Sequence, residues 1–308
     1  MRRLDLATSC AFAAALLVPS AAQAFCRTTT VQIDPSFVST PDEPCWTEGL
    51  PLYWTTACVG YSIQQDASRQ VSFDDAQTGM ETAFAQWTNA TCPTSDADGG
   101  SSKASIDVRF LGPVACHEVQ YNQNGGNANI IMFDDDVWPH DDANNTLGLT
   151  TVTYNINTGE LYDADMEINT AQVTLTVNGD VPADGFDFLS IVTHESGHFL
   201  GLAHTPDDHA TMFAHYTQGA TSMRNLSTDD IQGICTIYPP DGTRTSANGP
   251  VPEGSCDPTP RHGYSTTCGG SGGCSSSDAP VEPSGAAALA LAFVMGSLVR
   301  RSVKRRAA

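Results

Sequence analysis

The sequence predicts one α/β (α+β) domain with a mixed sheet over residues 25–238 of a 308-residue chain. Two observations predict it. Strand-like and helix-like segments follow one another as strand, helix, four strands and two helices, which is the pattern of a sheet with helices packed on it. These segments fill about 190–210 residues between an apolar leader and a Pro- and Gly-rich tail, a usual size for a single domain.

The elements come in order. PLYWTTACVGYSI, from Pro51, reads as a strand. SFDDAQTGMETAFAQWTNA reads as a helix: Ser72 can cap it with Asp75 reaching back, and Phe73, Ala76, Met80, Phe84 and Trp87 form one stripe. ASIDVRFLG alternates, with Ile106, Val108 and Phe110 on one face. NANIIMF, LGLTTVTYN and ELYDADMEIN are three further strands. DFLSIVTHESGHFLG is a second helix. LSTDDIQGICTIY is a third, with Ser227 as cap, Asp230 as its box partner and Leu226 placed to staple onto Ile231.

The first 24 residues pair two arginines with an apolar run and end in Ala22-Gln23-Ala24, a small-x-small cleavage pattern. They read as a secretory signal peptide, with the mature chain starting near Phe25. Cys10 leaves with it, and nine cysteines remain: Cys26, Cys45, Cys58, Cys92, Cys116, Cys235, Cys256, Cys268 and Cys274. None forms a CxxC pair, so an exported chain uses them for disulfides, whose connectivity sequence does not give.

The net charge is −21, and residues 25–284 hold 34 Asp and Glu against 7 Lys and Arg. Such a surface repels phosphate backbones, which argues against nucleic acid as a partner. Runs such as Asp134-Asp135-Asp136 raise calcium binding as an alternative to simple solubility.

Residues 239–284 contain 16 Pro or Gly among 46 and read as a flexible linker. Residues 285–308 then join a short apolar run, Gly285 to Val299, to a cluster of Arg and Lys, which reads as an apolar helix with a basic stop and a route to a membrane. Linker, Gly272-Gly273-Cys274, apolar run and basic cluster together resemble the C-terminal sorting signals of myxobacterial surface proteins. That resemblance implies Cys274 as a processing or lipidation residue and a surface-tethered protein. It also leaves an even eight cysteines for four disulfides.

THESGHFLGLAH, Thr193 to His204, carries three of the eight histidines. On a helix, His194 and His198 lie on one face and can share a metal ion. Gly201 can end the helix in a left-handed turn and bring His204 back to the same point. Three neutral imidazoles leave a fourth zinc position for water. Glu195 projects about 100° from His194, so it sits beside that water as a general base rather than as a fourth ligand.

HExxHxxGxxH is the motif of the metzincin zinc peptidases, which this chain resembles. Met212, eight residues after His204, stands where that family has its Met-turn. LSTDDIQGICTIYPP resembles the last helix of the matrixins, the matrix metalloproteinase branch. Ala214 stands where astacins and serralysins carry tyrosine. The resemblance covers roughly residues 50–240. It implies a five-stranded mixed sheet, three helices, Zn2+ held by His194, His198 and His204, and a protein or peptide substrate extended in a cleft.

Departures are as informative. There is no PRCGxPD cysteine switch, and the segment after the leader is too short for the usual prodomain. Asp163 and Asp165 only partly match the calcium carboxylates of the family, and His140 stands alone as an exposed residue. Of the remaining histidines, His209 and His215 flank the Met-turn as loop residues. A zinc endopeptidase is the leading reading, and a non-catalytic zinc-containing surface adhesin or binding module is the alternative.

Overall fold

A computed structural model describes residues 25–93, 103–246, 248–268 and 286–295. In chain order its elements are β1 (Cys26–Arg27), β2 (Cys58–Gln64), α1 (Phe73–Thr88), β3 (Asp107–Val114), β4 (Ile130–Asp134), β5 (Thr146–Asn155) and β6 (Leu161–Asn169). There follow β7 (Leu175–Thr176), β8 (Phe186–Asp187), α2 (Phe188–Phe199), β9 (Leu202–Ala203), β10 (His215–Tyr216), α3 (Thr228–Ile237), β11 (Thr243–Ser246), β12 (Gly249–Pro252) and β13 (Ala286–Met295). A short 3-10 turn, Ser222–Arg224, precedes α3.

The main sheet has the order β10-β13-β5-β6-β4-β2-β3. Five consecutive strands, from β5 to β3, are the expected five-stranded mixed sheet, and β13 and β10 extend it beyond β5. β3, β2, β4 and β6 run parallel to one another, and β5 is antiparallel to β6. Strand alternation divides β6 cleanly. Ala164, Met166 and Ile168 enter the core beneath the helices, while Asp163, Asp165 and Glu167 occupy the other face.

The helix stripe read from the sequence is buried as expected: Ala76, Met80, Phe84 and Trp87 all face inward. Ser72 caps α1, accepting from the Asp75 N–H at 3.2 Å. Phe84 meets Phe199 of α2 edge-on, with ring centroids 5.0 Å apart. Each such ring contributes about 1.5–3 kcal/mol by leaving water. The Trp87 indole N–H also donates to the Thr193 carbonyl at 2.8 Å, so α1 fixes the helix that carries the histidines. In α3, Ser227 and Asp230 form a reciprocal capping box.

The tail departs from both expectations. Residues 239–246 and 248–268 are held rather than free. β11 and β12 form a hairpin, and Cys58–Cys256 and Cys116–Cys268 staple the stretch to the sheet. Covalent closure supplies the ordering that this stretch's few apolar residues cannot. Residues 286–295 are a strand, not a helix: β13 pairs antiparallel with β5 and parallel with β10. Its Ala-Leu-Ala-Leu alternation has the period of a strand, with Leu289 and Leu291 buried and Ala288 and Ala290 exposed. No helix among the described residues is long and apolar enough to cross a membrane. The leader, Cys274 and the terminal basic cluster lie outside the described residues.

Four disulfides join the eight described cysteines: the two above, Cys26–Cys45 and Cys92–Cys235. Cys92–Cys235 ties the segment after α1 to α3 across a sequence separation of 143 residues. A Cys92→Ser, Cys235→Ser double variant is expected to lose about 2–5 kcal/mol of stability, read from urea unfolding. An unchanged midpoint and slope would show that the bridge contributes nothing.

Candidate active site

Helix α2 begins at Asp187, whose carboxylate accepts from the Ser190 N–H at 3.0 Å and is clamped by Arg224 at 2.6–2.7 Å. The helix ends at Leu200, and Gly201 follows with φ +96°, a conformation that side chains resist. An added Cβ there would also stand 3.0 Å from the Leu52 carbonyl oxygen. The turn lets the chain double back through β9 to His204.

Three ring nitrogens converge as a result. His194 Nε2 lies 3.1 Å from His198 Nε2, which lies 3.1 Å from His204 Nε2, and the third side of the triangle is 3.2 Å. Protonated nitrogens would repel at this range, whereas three lone pairs directed at one ion at about 2.0–2.1 Å fit it. The other nitrogens fix the tautomers. His194 Nδ1 donates to the Thr211 carbonyl at 2.6 Å and His198 Nδ1 to the Leu202 carbonyl at 2.9 Å, which leaves Nε2 as the acceptor in each ring. Burial holds His194 and His204 well below the usual imidazole range and lowers His198 to about 4, so all three are neutral ligands at neutral pH. The donor set therefore fits a zinc ion.

Glu195 is fully buried and does not join the triangle. Its Oε2 accepts from Thr150 Oγ1 on β5 at 2.6 Å, while Oε1 has no hydrogen-bond partner among the described residues. Burial raises its carboxyl to about 8, with the Thr150 bond acting against the rise. Gly148, two residues earlier on β5, makes room for it: an added Cβ would stand 2.9 Å from Oε1.

Beneath the histidines lies Met212, 1% exposed, its sulfur against Gly197 of α2. One carboxylate holds this turn. Asp230 accepts from the N–H groups of Thr211 at 2.8 Å and Met212 at 3.0 Å while also capping α3 through the Ser227 N–H. The capping role was legible in the sequence. The grip on the Met turn was not, because it is a contact across 18 residues, and Thr150 was missed for the same reason.

The chain matches the matrixin family model over residues 53–239. It belongs to the matrixin family. It is 27% identical over 200 residues to matrix metalloproteinase-C of Caenorhabditis elegans, a match covering 63% of this chain and 30% of that one. It is 26% identical over 232 residues to the interstitial collagenase of Bos taurus, covering 72% of this chain and 38% of the relative. A shorter match, 38% identical over 74 residues, covers 24% of this chain and 16% of the neutrophil collagenase of Homo sapiens. The chain thus spans well under half the length of these relatives.

The acidic candidates fall elsewhere. Asp163 and Asp165 are adjacent and buried, but Asp165 already accepts from the N–H groups of Ile130 and Gln120 at 2.8 Å each. That leaves few of the six to eight free oxygens a calcium ion takes. The 134–136 run is likewise split among protein partners. Asp134 meets His117 at 3.2 Å, Asp135 accepts from Ser68 and Thr170 at 2.6 Å, and Asp136 pairs with Arg69. His140 is not alone: its Nε2 lies 2.9 Å from Glu167 Oε2. His209 lies exposed beside Asp208, and His215 stands close enough to His204 to lower its basicity.

Two outcomes are expected. In matrixin variant Asp230→Asn the turn loses an acceptor for one of its N–H groups. Zinc affinity should fall about 10–100-fold, measured by chelator competition, and an unchanged affinity would remove Asp230 from the site's support. The second concerns the acidic pair. Burial first, then mutual repulsion, raises Asp163 well above the usual carboxyl range, and burial raises Asp165 to about 7. The folded state then binds more protons than the unfolded one between about pH 4 and 7. This contribution to stability is present at low pH and is lost as pH rises through that window. Asp163→Asn, compared with the parent by urea unfolding at each pH, should flatten the loss. Identical pH dependence would show that the pair does not titrate there.

Proposed function

We propose that this matrixin is a secreted zinc endopeptidase that hydrolyses peptide bonds of extracellular proteins. The observation that carries the proposal is the triangle of Nε2 atoms with a buried carboxylate beside it whose Oε1 has no hydrogen-bond partner among the described residues. His194, His198 and His204 would hold the ion. When bound, zinc supplies Lewis acidity toward the substrate carbonyl oxygen and lowers the pKa of water.

Glu195 does the proton work. Its free Oε1 takes a proton from the attacking water and later delivers it to the leaving amine as the C–N bond breaks. Thr150 fixes the carboxylate so that Oε2 is occupied and Oε1 is the reactive oxygen. Burial alone would keep the acid protonated, and a neighbouring divalent cation opposes that effect by favouring the carboxylate. The Met turn and Gly201 keep the imidazoles in place. A substrate lies extended beside β5, bound through main-chain hydrogen bonds.

Four disulfides support an oxidising compartment, and the N-terminal leader supports export. Residues 286–295 lie in the sheet and give no support to a membrane anchor.

Glu195→Gln preserves shape and should retain one zinc per chain while kcat on an unfolded protein substrate drops by about 10²–10⁴. Chelation should abolish parental activity and added zinc should restore it. Undiminished kcat in the zinc-loaded variant would refute the role given to Glu195.

A further inference from the structure

We propose that the chain's own residues 286–295 occupy the substrate cleft and hold the enzyme latent, an inference that rests on the cleft assignment above. β13 is the strand between β5 and β10, and without it β5 would be an edge of the five-stranded sheet. The ladder is long: β13 follows β5 from Ala286↔Asn155 to Val294↔Thr146.

The register places this strand over the chemistry. Leu291 pairs with Thr150 and Phe293 with Gly148. Thr150 is the residue bonded to Glu195, and Gly148 is the residue packed on it. On the far side, Val294 and Met295 pair with His215 and Tyr216 of β10, the segment following the Met turn. The middle of β13 therefore crosses the site in an extended form, antiparallel to one wall and parallel to the other.

The side chains agree. Residues 289 and 291 share the sheet face of Val152 and Thr150, their β5 partners, which is the face that carries Glu195. Leu289 and Leu291 line one cavity with His204, Ala214, Phe37 and Trp46. Ala288 and Ala290 point to solvent. His194, Glu195 and His198 are 0% exposed, and His204, which shares the cavity with Leu289 and Leu291, is partly exposed.

An extended peptide using the same main-chain groups of β5 is thereby excluded. The segment is tethered: 17 residues separate it from Cys268, which is bound to Cys116. Its binding is therefore intramolecular, and an external substrate must compete with a segment of the same chain. This supplies latency to a chain with no PRCGxPD switch.

The test uses the full chain, loaded with zinc. In the parent, amides of Ala286–Met295 should exchange with deuterium as slowly as those of β5. In Leu289→Asp, Leu291→Asp, two carboxylates would be buried without partners, so the strand should leave. kcat/KM on a quenched fluorescent peptide should rise at least tenfold at unchanged zinc content, and a synthetic 286–295 peptide should then inhibit competitively. Equal kcat/KM in parent and variant, both active and zinc-loaded, would overturn the proposal. So would fast exchange of Ala286–Met295 in the parent, with or without binding to anionic lipid vesicles, or latency that vanishes on dilution, which would place a second copy's segment in the cleft. If the strand is protected in the parent and released in the variant, yet neither cleaves, occupancy stands and the endopeptidase reading fails. Should the variant not fold, exchange in the parent decides.

Discussion

The site depends on the convergence of three neutral imidazoles, and that convergence depends on where their second nitrogens go. Nδ1 of His194 is fixed by the Thr211 carbonyl and Nδ1 of His198 by the Leu202 carbonyl. Both carbonyls belong to chain that has already left α2. The helix must therefore end on time at Gly201, and the Met turn must come back under it. Asp230 secures the second condition from α3, and Trp87 secures the helix itself from α1. Sheet, helices and turns are thus all required to set one small triangle of nitrogens.

Burial serves this chemistry and also costs stability. The buried His194, His198 and Glu195, with the partly buried His204, cost stability, since burial disfavours every charged form they could adopt. The same burial keeps the imidazoles unprotonated and leaves one carboxylate oxygen unsatisfied next to them. An ion that binds only the folded chain recovers part of this cost as folding free energy. The disulfides offset more of it, closing long loops around a domain whose tail has little apolar surface of its own.

What the sequence disclosed follows from how local each signal is. The stripe through Met80, Phe84 and Trp87, the caps at Ser72 and Ser227 and the spacing of His194, His198 and Gly201 act within a few residues, and all were legible. Thr150 and the second role of Asp230 depend on tertiary approach and left no mark in the spacing. His140 looked isolated because Glu167, its partner, is 27 residues away. The tail differs from its expected helix for another reason. An apolar run of that length fits either a helix or a buried strand, and it is the Ala-Leu alternation, with the period of a strand, that distinguishes them.

The central claim is that three ring nitrogens and no fourth side chain hold one ion. X-ray absorption at the zinc edge of the loaded protein reads the ligand shell directly. The account predicts three imidazole nitrogens at about 2.0–2.1 Å and one further light atom from a non-protein ligand. A sulfur scatterer, a fourth imidazole or only two imidazoles in that shell would contradict it.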